Sequence, residues 1–264
     1  MANNEIKGPA NINFSDSGKG KTIVLLHGFL ESSGIWDDFT DKLSESFRVI
    51  TIDLPGHGKS DCIAEEHSME IMAEEVKNIL EILGIKKVLL IGHSMGGYVS
   101  AAFAEKYPGM LKGLILFHSH AFADDDEAKK NRDRFILAVN NDHIDFIKNF
   151  IPELFAPDNR SKYHKEIIQL INMATLSSKE GVIAALKGMK NRKDRNKVIA
   201  NLEIPVLYII GKYDPRTPQK KIFPVVEKSK NAVVVVLENS GHMGYIEEKD
   251  NSFELIKDFA ESVL

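Results

Sequence analysis

Ser94 sits between paired glycines, Gly92-His93-Ser94-Met95-Gly96, and another glycine, Gly97, follows. The apolar β-type run Lys87-Val88-Leu89-Leu90-Ile91 precedes it, and the helical run of small residues Val99-Ser100-Ala101-Ala102-Phe103-Ala104 comes after. Strand, tight turn and helix is the setting in which Gly-x-Ser-x-Gly lifts a serine hydroxyl clear at the carboxyl end of a strand. A serine hydroxyl is a weak nucleophile at neutral pH, so it needs an adjacent base, and the base needs an orienting acid. Candidates for both lie downstream. Asp214 closes a turn directly after the apolar run Ile204-Pro205-Val206-Leu207-Tyr208-Ile209-Ile210. His242 lies in a Gly-His turn after Val233-Val234-Val235-Val236-Leu237, which reads as another buried strand. In a parallel sheet the carboxyl ends of the strands share one side, so all three side chains can converge there.

The elements that must position them alternate between apolar and amphipathic runs, the pattern of parallel βα units. Strands are expected at residues 11–15, after a short edge strand, and at 22–27, 47–52 and 111–117. A short helix is expected at 37–46. Ser68 can cap a helix whose apolar positions Met72, Val76, Ile79, Leu80 and Leu83 fall at helical spacing, with Gly84 as its stop. From about residue 121 to 201 the alternation breaks into four or five helical stretches without a strand-like run, too long for a connection within a compact sheet. Phe253, Ile256, Phe259 and Ala260 mark a closing amphipathic helix.

The elbow, the segment Ile23-Val24-Leu25-Leu26-His27-Gly28-Phe29, the loop Asp53-Leu54-Pro55-Gly56-His57-Gly58 and the order nucleophile, acid, histidine together resemble the α/β-hydrolase superfamily. The resemblance covers nearly the whole chain. It implies an α/β fold: a mostly parallel twisted sheet with helices on both faces, formed by residues 1–120 and 202–264, with an all-helical cap inserted at 121–201. It also implies a catalytic triad of Ser94, His242 and Asp214. His27-Gly28-Phe29 is similar to the family's oxyanion loop, which implies an oxyanion hole built from the backbone N–H groups of Phe29 and Met95. The activity implied is hydrolysis of a small or medium ester, lactone or thioester, with no cofactor and a small acyl compound as partner. The loop motifs are also similar to those of enol-lactonases, meta-cleavage-product hydrolases and the menaquinone-pathway lyase, so carbon–carbon bond chemistry stays open. Substrates of those relatives are often carboxylates, for which the inserted segment offers Arg132, Arg134, Arg160, Arg192 and Arg195. A ligand receptor that has kept the triad is a third reading. Dehalogenases and epoxide hydrolases of this fold use an aspartate nucleophile, and Ser94 at the elbow argues against both.

Composition bounds the rest. The 264 residues suffice for one large α/β domain with a buried core. Lys and Arg number 34 against 38 Asp and Glu, a net charge of −4, which makes no electrostatic case for nucleic acid or a membrane surface. The polar start Met1-Ala2-Asn3-Asn4-Glu5-Ile6-Lys7 is unlike a signal peptide, no apolar run approaches membrane-spanning length, and a single cysteine excludes an intrachain disulfide. A cytoplasmic location fits these features.

The remaining candidates divide into two groups. His27 and His57 are assigned structural roles beside their glycines, and His93 is expected to point away from the nucleophile. His118 and His120 follow a strand end, where pocket lining and ordinary loop positions are equally open. The nine histidines show no metal-ligand spacing, so no metal is expected. Cys62 has no histidine partner nearby in sequence and is given a structural or incidental role. Asp124, Asp125 and Asp126 are rivals for the acid but look like helix-start residues. Tyr98, Trp36 and Phe122 are candidate pocket aromatics that can equally be core.

Overall fold

The structure is a computed structural model and describes residues 5–264. Its strands are β1 (Glu5–Lys7), β2 (Asn13–Gly18), β3 (Thr22–Leu26), β4 (Arg48–Ile52), β5 (Val88–His93), β6 (Leu111–Phe117), β7 (Val206–Gly211) and β8 (Ala232–Leu237). They form one eight-stranded sheet in the order β1-β2-β4-β3-β5-β6-β7-β8. β1 and β2 are antiparallel to their neighbours, and every pair from β4 to β8 is parallel. The α-helices are α1 (Asp37–Leu43), α2 (Met69–Ile82), α3 (Met95–Lys106), α4 (Asp126–Asn141), α5 (His143–Phe150), α6 (His164–Ala174), α7 (Lys179–Asn191), α8 (Asn196–Ala200), α9 (Gln219–Val226), α10 (Gly244–Glu247) and α11 (Lys249–Val263).

Strands β3, β5 and β7 are buried along their whole length. Helices cover both faces, which is why these runs are continuously apolar and do not alternate. The expectation of a buried β8 is corrected. β8 is an edge strand, mostly half-buried, with Val233 56% exposed. Its run of valines reflects β propensity on a strand that pairs only with β7. Strand β2 also starts later than the 11–15 expected, at Asn13. Ala10 and Asn11 take positive φ in a short 3₁₀ turn, closed by Gly8 N–H donating to the Ile12 carbonyl at 2.7 Å.

Helix α2 follows the periodicity. Ser68 Oγ accepts the Ile71 N–H at 3.2 Å, and Met72, Val76, Ile79 and Leu80 are buried. Gly84 ends it at φ +67°, a conformation that favours glycine. Helix α9 was not legible in the sequence, since Pro218 and Pro224 argue against a helix there. Burial of Ile222 overrides that local preference.

Between β6 and β7 the described residues form only helices, α4 to α8, with 3₁₀ turns. Asp125 caps α4 by accepting the Ala128 N–H at 2.9 Å. The last part of this segment is tied to the sheet-covering helices through Arg195. Its guanidinium, 2% exposed, donates to Glu105 on α3 at 2.8 Å and to Glu70 on α2 at 2.6 Å. Among the described residues no helix is long and apolar enough to cross a membrane.

Candidate active site

The turn that carries Ser94 is built by close approach. Ser94 is the residue between β5 and α3, held at φ 50°, ψ −114°. Its N–H donates to the Phe117 carbonyl at 3.0 Å, and its carbonyl accepts from Gly97 N–H at 2.9 Å and Ser119 Oγ at 2.6 Å. A Cβ on Gly92 would strike the Gly96 carbonyl, and one on Gly97 would strike Ser119 Oγ. One on Gly96 would lie 2.6 Å from the Leu26 carbonyl. The glycines therefore let strand, helix and the β3 loop touch, and that contact holds a strained serine in place.

The three side chains singled out in the sequence meet at the carboxyl ends of β5, β7 and β8. Ser94 Oγ donates to His242 Nε2 at 2.8 Å. His242 Nδ1 donates to Asp214 Oδ1 at 2.9 Å and Oδ2 at 2.8 Å. Both Asp214 and His242 are buried. Asp214 also receives the N–H groups of Arg216 at 2.7 Å and Thr217 at 3.0 Å on Oδ1. Burial opposes its ionisation. Attraction to His242, with hydrogen bonds from His118 and His242, outweighs that and holds the carboxyl well below the usual range. The rival Asp124 is taken up elsewhere, by Arg192 at 2.6 Å and Arg132 at 3.0 Å.

His118, left open in the sequence, is buried at the end of β6 with φ 47°. Its Nδ1 donates to Asp214 Oδ2 at 3.0 Å, while Nε2 is buried without a partner. Burial, the largest influence, pushes its pKa down to about 4, so the ring is neutral and donates through Nδ1 alone. His118, Asp214 and His242 each bring one potential metal-ligand atom within 4.8 Å of the others. Their mutual hydrogen bonds account for that closeness.

His93 makes no hydrogen bond to Ser94 Oγ, and its ring bonds Glu31 and the backbone of His242 instead. Its Nε2 donates to the His242 carbonyl at 3.0 Å, and its Nδ1 faces Glu31 Oε2 at 2.9 Å. Glu31 also accepts the Gly28 N–H at 2.5 Å and the Tyr245 hydroxyl at 3.0 Å. Burial works against charge on both partners. Their attraction prevails, raising the His93 pKa and lowering that of Glu31. The result is a buried histidine–carboxylate pair that joins the His27-Gly28-Phe29 loop to the backbone of His242. Glu31 carried no sequence signal, because its role depends on a residue 62 positions away.

His27 donates through Nδ1 to the Gly28 carbonyl at 2.7 Å and accepts the Leu54 N–H on Nε2 at 2.8 Å. His57 faces the Pro55 carbonyl at 3.2 Å, and burial pushes its pKa down to about 3. Both fit the structural roles expected. Among the described residues the N–H groups of Phe29 and Met95 donate to no protein acceptor. Met95 opens α3, where the helix dipole favours an anion. Cys62 does have a histidine close by, which corrects the sequence reading. Its Sγ lies 3.7 Å from His67 Nε2, a ring that burial holds neutral with a pKa of about 4.

A cavity of about 250 Å³ opens on Ser94 and His242. Its apolar wall includes Phe29, Phe122, Phe135, Phe150 and Met189, and its polar wall includes Tyr98, His120, Arg132, Arg192 and Arg216. Trp36 is core, 0% exposed and packed on Phe39 and Phe117. Of the arginines considered from sequence, Arg132 and Arg192 line this cavity. Arg134 and Arg160 pair with Glu127 and Glu153, and Arg195 is the buried tie described above. Arg216 was not among them, because it lies outside the inserted segment, two residues after Asp214, where sequence gives no sign that it reaches the cavity.

A family model for the alpha/beta hydrolase fold matches residues 21–249, and the chain belongs to that family. The structure of an esterase from Thermogutta terrifontis with malate bound is similar at 32% identity and a TM-score of 0.91, covering 100% of this chain and 99% of that one. A pimeloyl-[acyl-carrier protein] methyl ester esterase from Aeromonas hydrophila is 28% identical over 248 residues, 92% of this chain and 96% of that protein. An uncharacterized Mycobacterium tuberculosis protein is 38% identical over 103 residues, a match spanning 39% of this chain and only 30% of the relative's length.

Proposed function

We propose that this chain is a serine hydrolase of carboxylic esters and similar small acyl compounds, with Ser94 as nucleophile, His242 as base and Asp214 as its orienting acid. The observation that carries this reading is the continuous line of hydrogen bonds from Ser94 Oγ through His242 to Asp214. His242 takes the Ser94 proton on Nε2 as Oγ forms a bond to the acyl carbon. Asp214 holds Nδ1–H, so Nε2 is the free base, and it stabilises the imidazolium that forms. The carbonyl oxygen becomes an oxyanion, received by the Phe29 and Met95 N–H groups, each worth about 3 kcal/mol. His242 then gives its proton to the leaving alcohol, and an acyl-enzyme remains. Water, deprotonated by His242, attacks the acyl carbon; the proton returns to Ser94 Oγ and a carboxylic acid leaves.

The helical segment 121–201 serves in this reading as a cap over a core of 1–120 and 202–264. Support comes from Phe135, Phe150 and Met189, which line the same cavity as Ser94. A cavity of this size suits an enclosed small substrate better than a polymer. Similarity to the two esterases supports ester hydrolysis as the reaction.

The test is labelling by a fluorophosphonate probe together with p-nitrophenol release from a short-chain p-nitrophenyl ester. Labelling confined to Ser94, with an initial burst of p-nitrophenol, is the expected result. Tight ligand binding with negligible turnover and no labelling of Ser94 would overturn it in favour of a receptor.

A further inference from the structure

Around the nucleophile the balance of charge departs from that of the chain. The whole protein carries −4, yet the cavity holding Ser94 is lined by Arg132, Arg192, Arg216 and Lys221. Three of these cations have carboxylate partners. Arg132 and Arg192 share Asp124 at 3.0 and 2.6 Å, and Lys221 faces Asp125 at 3.5 Å. Among the described residues no carboxylate lies within ion-pairing distance of Arg216. Asp214, two residues away, receives its backbone N–H and is already engaged by two imidazoles.

The Arg216 guanidinium is nevertheless ordered by its surroundings. It lies over the Phe150 ring at 4.9 Å and near Phe135 at 6.0 Å, on α5 and α4. Pro215 and Pro218 bracket its loop, and the Arg216 N–H is fixed on Asp214. A guanidinium stacked on an aromatic face keeps its in-plane N–H fork free, the geometry that suits a carboxylate. Arg216 lines the cavity and is exposed. Partial burial lowers its pKa, with repulsion from Arg132 second, and the attraction of Tyr98, Asp214 and Glu153 offsets this only in part. A carboxylate on the substrate would supply the ion-pair partner that no described carboxylate provides.

We propose that Arg216, assisted by Arg132, binds a carboxylate carried by the substrate, so that the cavity takes an anionic ester: a half-ester of a dicarboxylic acid or a compound of the same charge and length. This rests on the serine-hydrolase reading and adds the class of substrate. Arg216 is then a specificity residue, and most of its contribution appears in KM.

The test compares monomethyl glutarate with methyl pentanoate, which has the same acyl length without the charge. Hydrolysis is followed by pH-stat titration, with fluorophosphonate labelling of Ser94 run in parallel. Wild type is expected to favour monomethyl glutarate at least tenfold in kcat/KM, with the preference shrinking as salt rises, since screening weakens the contact. R216Q should lose at least tenfold more on monomethyl glutarate than on methyl pentanoate, chiefly through KM, and R216K should fall between. Equal use of both esters by a wild type that labels at Ser94 overturns the anionic-substrate proposal alone, as does a proportional loss on both esters in R216Q. A wild type that neither labels nor hydrolyses either ester overturns the hydrolase reading, and this proposal with it.

Discussion

His118 donates from Nδ1 to Asp214 Oδ2 at 3.0 Å, so the carboxylate that faces His242 is held by two imidazoles at the same oxygen. The second imidazole does not reach Ser94. It competes with His242 for the same carboxylate charge, and it fixes the direction in which Oδ2 points. Removing it by His118→Phe takes one hydrogen-bond donor from Asp214, leaving the carboxylate more attractive to an imidazolium. The acid limb of the kcat/KM profile should therefore move to higher pH, while kcat falls about tenfold from looser positioning of the carboxylate. His118→Asn, which keeps a donor, should recover part of both. A pH–rate profile of His118→Phe identical to wild type, with normal kcat, would reduce His118 to packing.

Ser94→Ala should lower turnover on a p-nitrophenyl ester by roughly 10⁴ to 10⁶, and Asp214→Asn by about 10⁴. The mutant proteins should bind substrate nearly normally, so isothermal calorimetry against a slow ester separates chemistry from binding. Near-normal turnover in either variant, checked for wild-type contamination, is incompatible with the triad.

Gly92→Ala tests the elbow. The added methyl meets the Gly96 backbone carbonyl, which cannot swing aside as a side chain can. A loss of about 1–3 kcal/mol in stability is expected. Fluorophosphonate labelling should also slow at a temperature where the variant is still folded, because Ser94 no longer holds its strained angles. Urea denaturation and labelling rate read the two effects separately.

Stability should fall on acidification from neutral pH. His57 and His118 are buried and neutral, with pKa values pushed by burial down to about 3 and about 4. The unfolded chain binds protons on these rings below about pH 6.5 and the folded one does not, so acid favours unfolding by on the order of 3 kcal/mol or more for each ring. His93 acts in the opposite sense. Its raised pKa gives a contribution present below about pH 6.5 and lost as pH rises through the folded value. Differential scanning calorimetry should show Tm dropping between pH 6.5 and 4, and a flat Tm there would contradict the neutral assignment of the two rings.

Arg195→Met should loosen the attachment of the helical segment. Breaking a fully buried ion pair costs about 3–5 kcal/mol. Here Glu70 and Glu105 are 29% and 39% exposed and can rehydrate, so about 2 kcal/mol is expected. Limited proteolysis should cut first within residues 121–201, and a cleavage pattern unchanged from wild type would refute the anchoring role.

Local signals were enough for the strands that pass through the core and for which side chains meet at their ends. The apolar runs of β3, β5 and β7 are continuous because both faces are covered, and burial of that kind is written in composition. The elbow is legible because only glycine fits where backbones touch. Ser94, Asp214 and His242 were legible because each follows a strand, and a parallel sheet puts such positions on one rim. The edge strand β8 and helix α9 misled or escaped the reading. Propensity speaks for a residue's preferred backbone and says nothing of which neighbours cover it.

What only the tertiary structure decided is the pairing of groups far apart along the chain. Glu31 meets His93 across 62 positions, His118 meets Asp214 across 96, and Arg216 comes to rest on Phe150. No periodicity encodes such meetings. Attraction between charges depends on separation in space and on how much water has been removed, and both are set when the helical segment packs over the sheet. The sequence alone determined which side chains could do chemistry. Packing decided which are charged, which are held, and which cation is left facing the cavity.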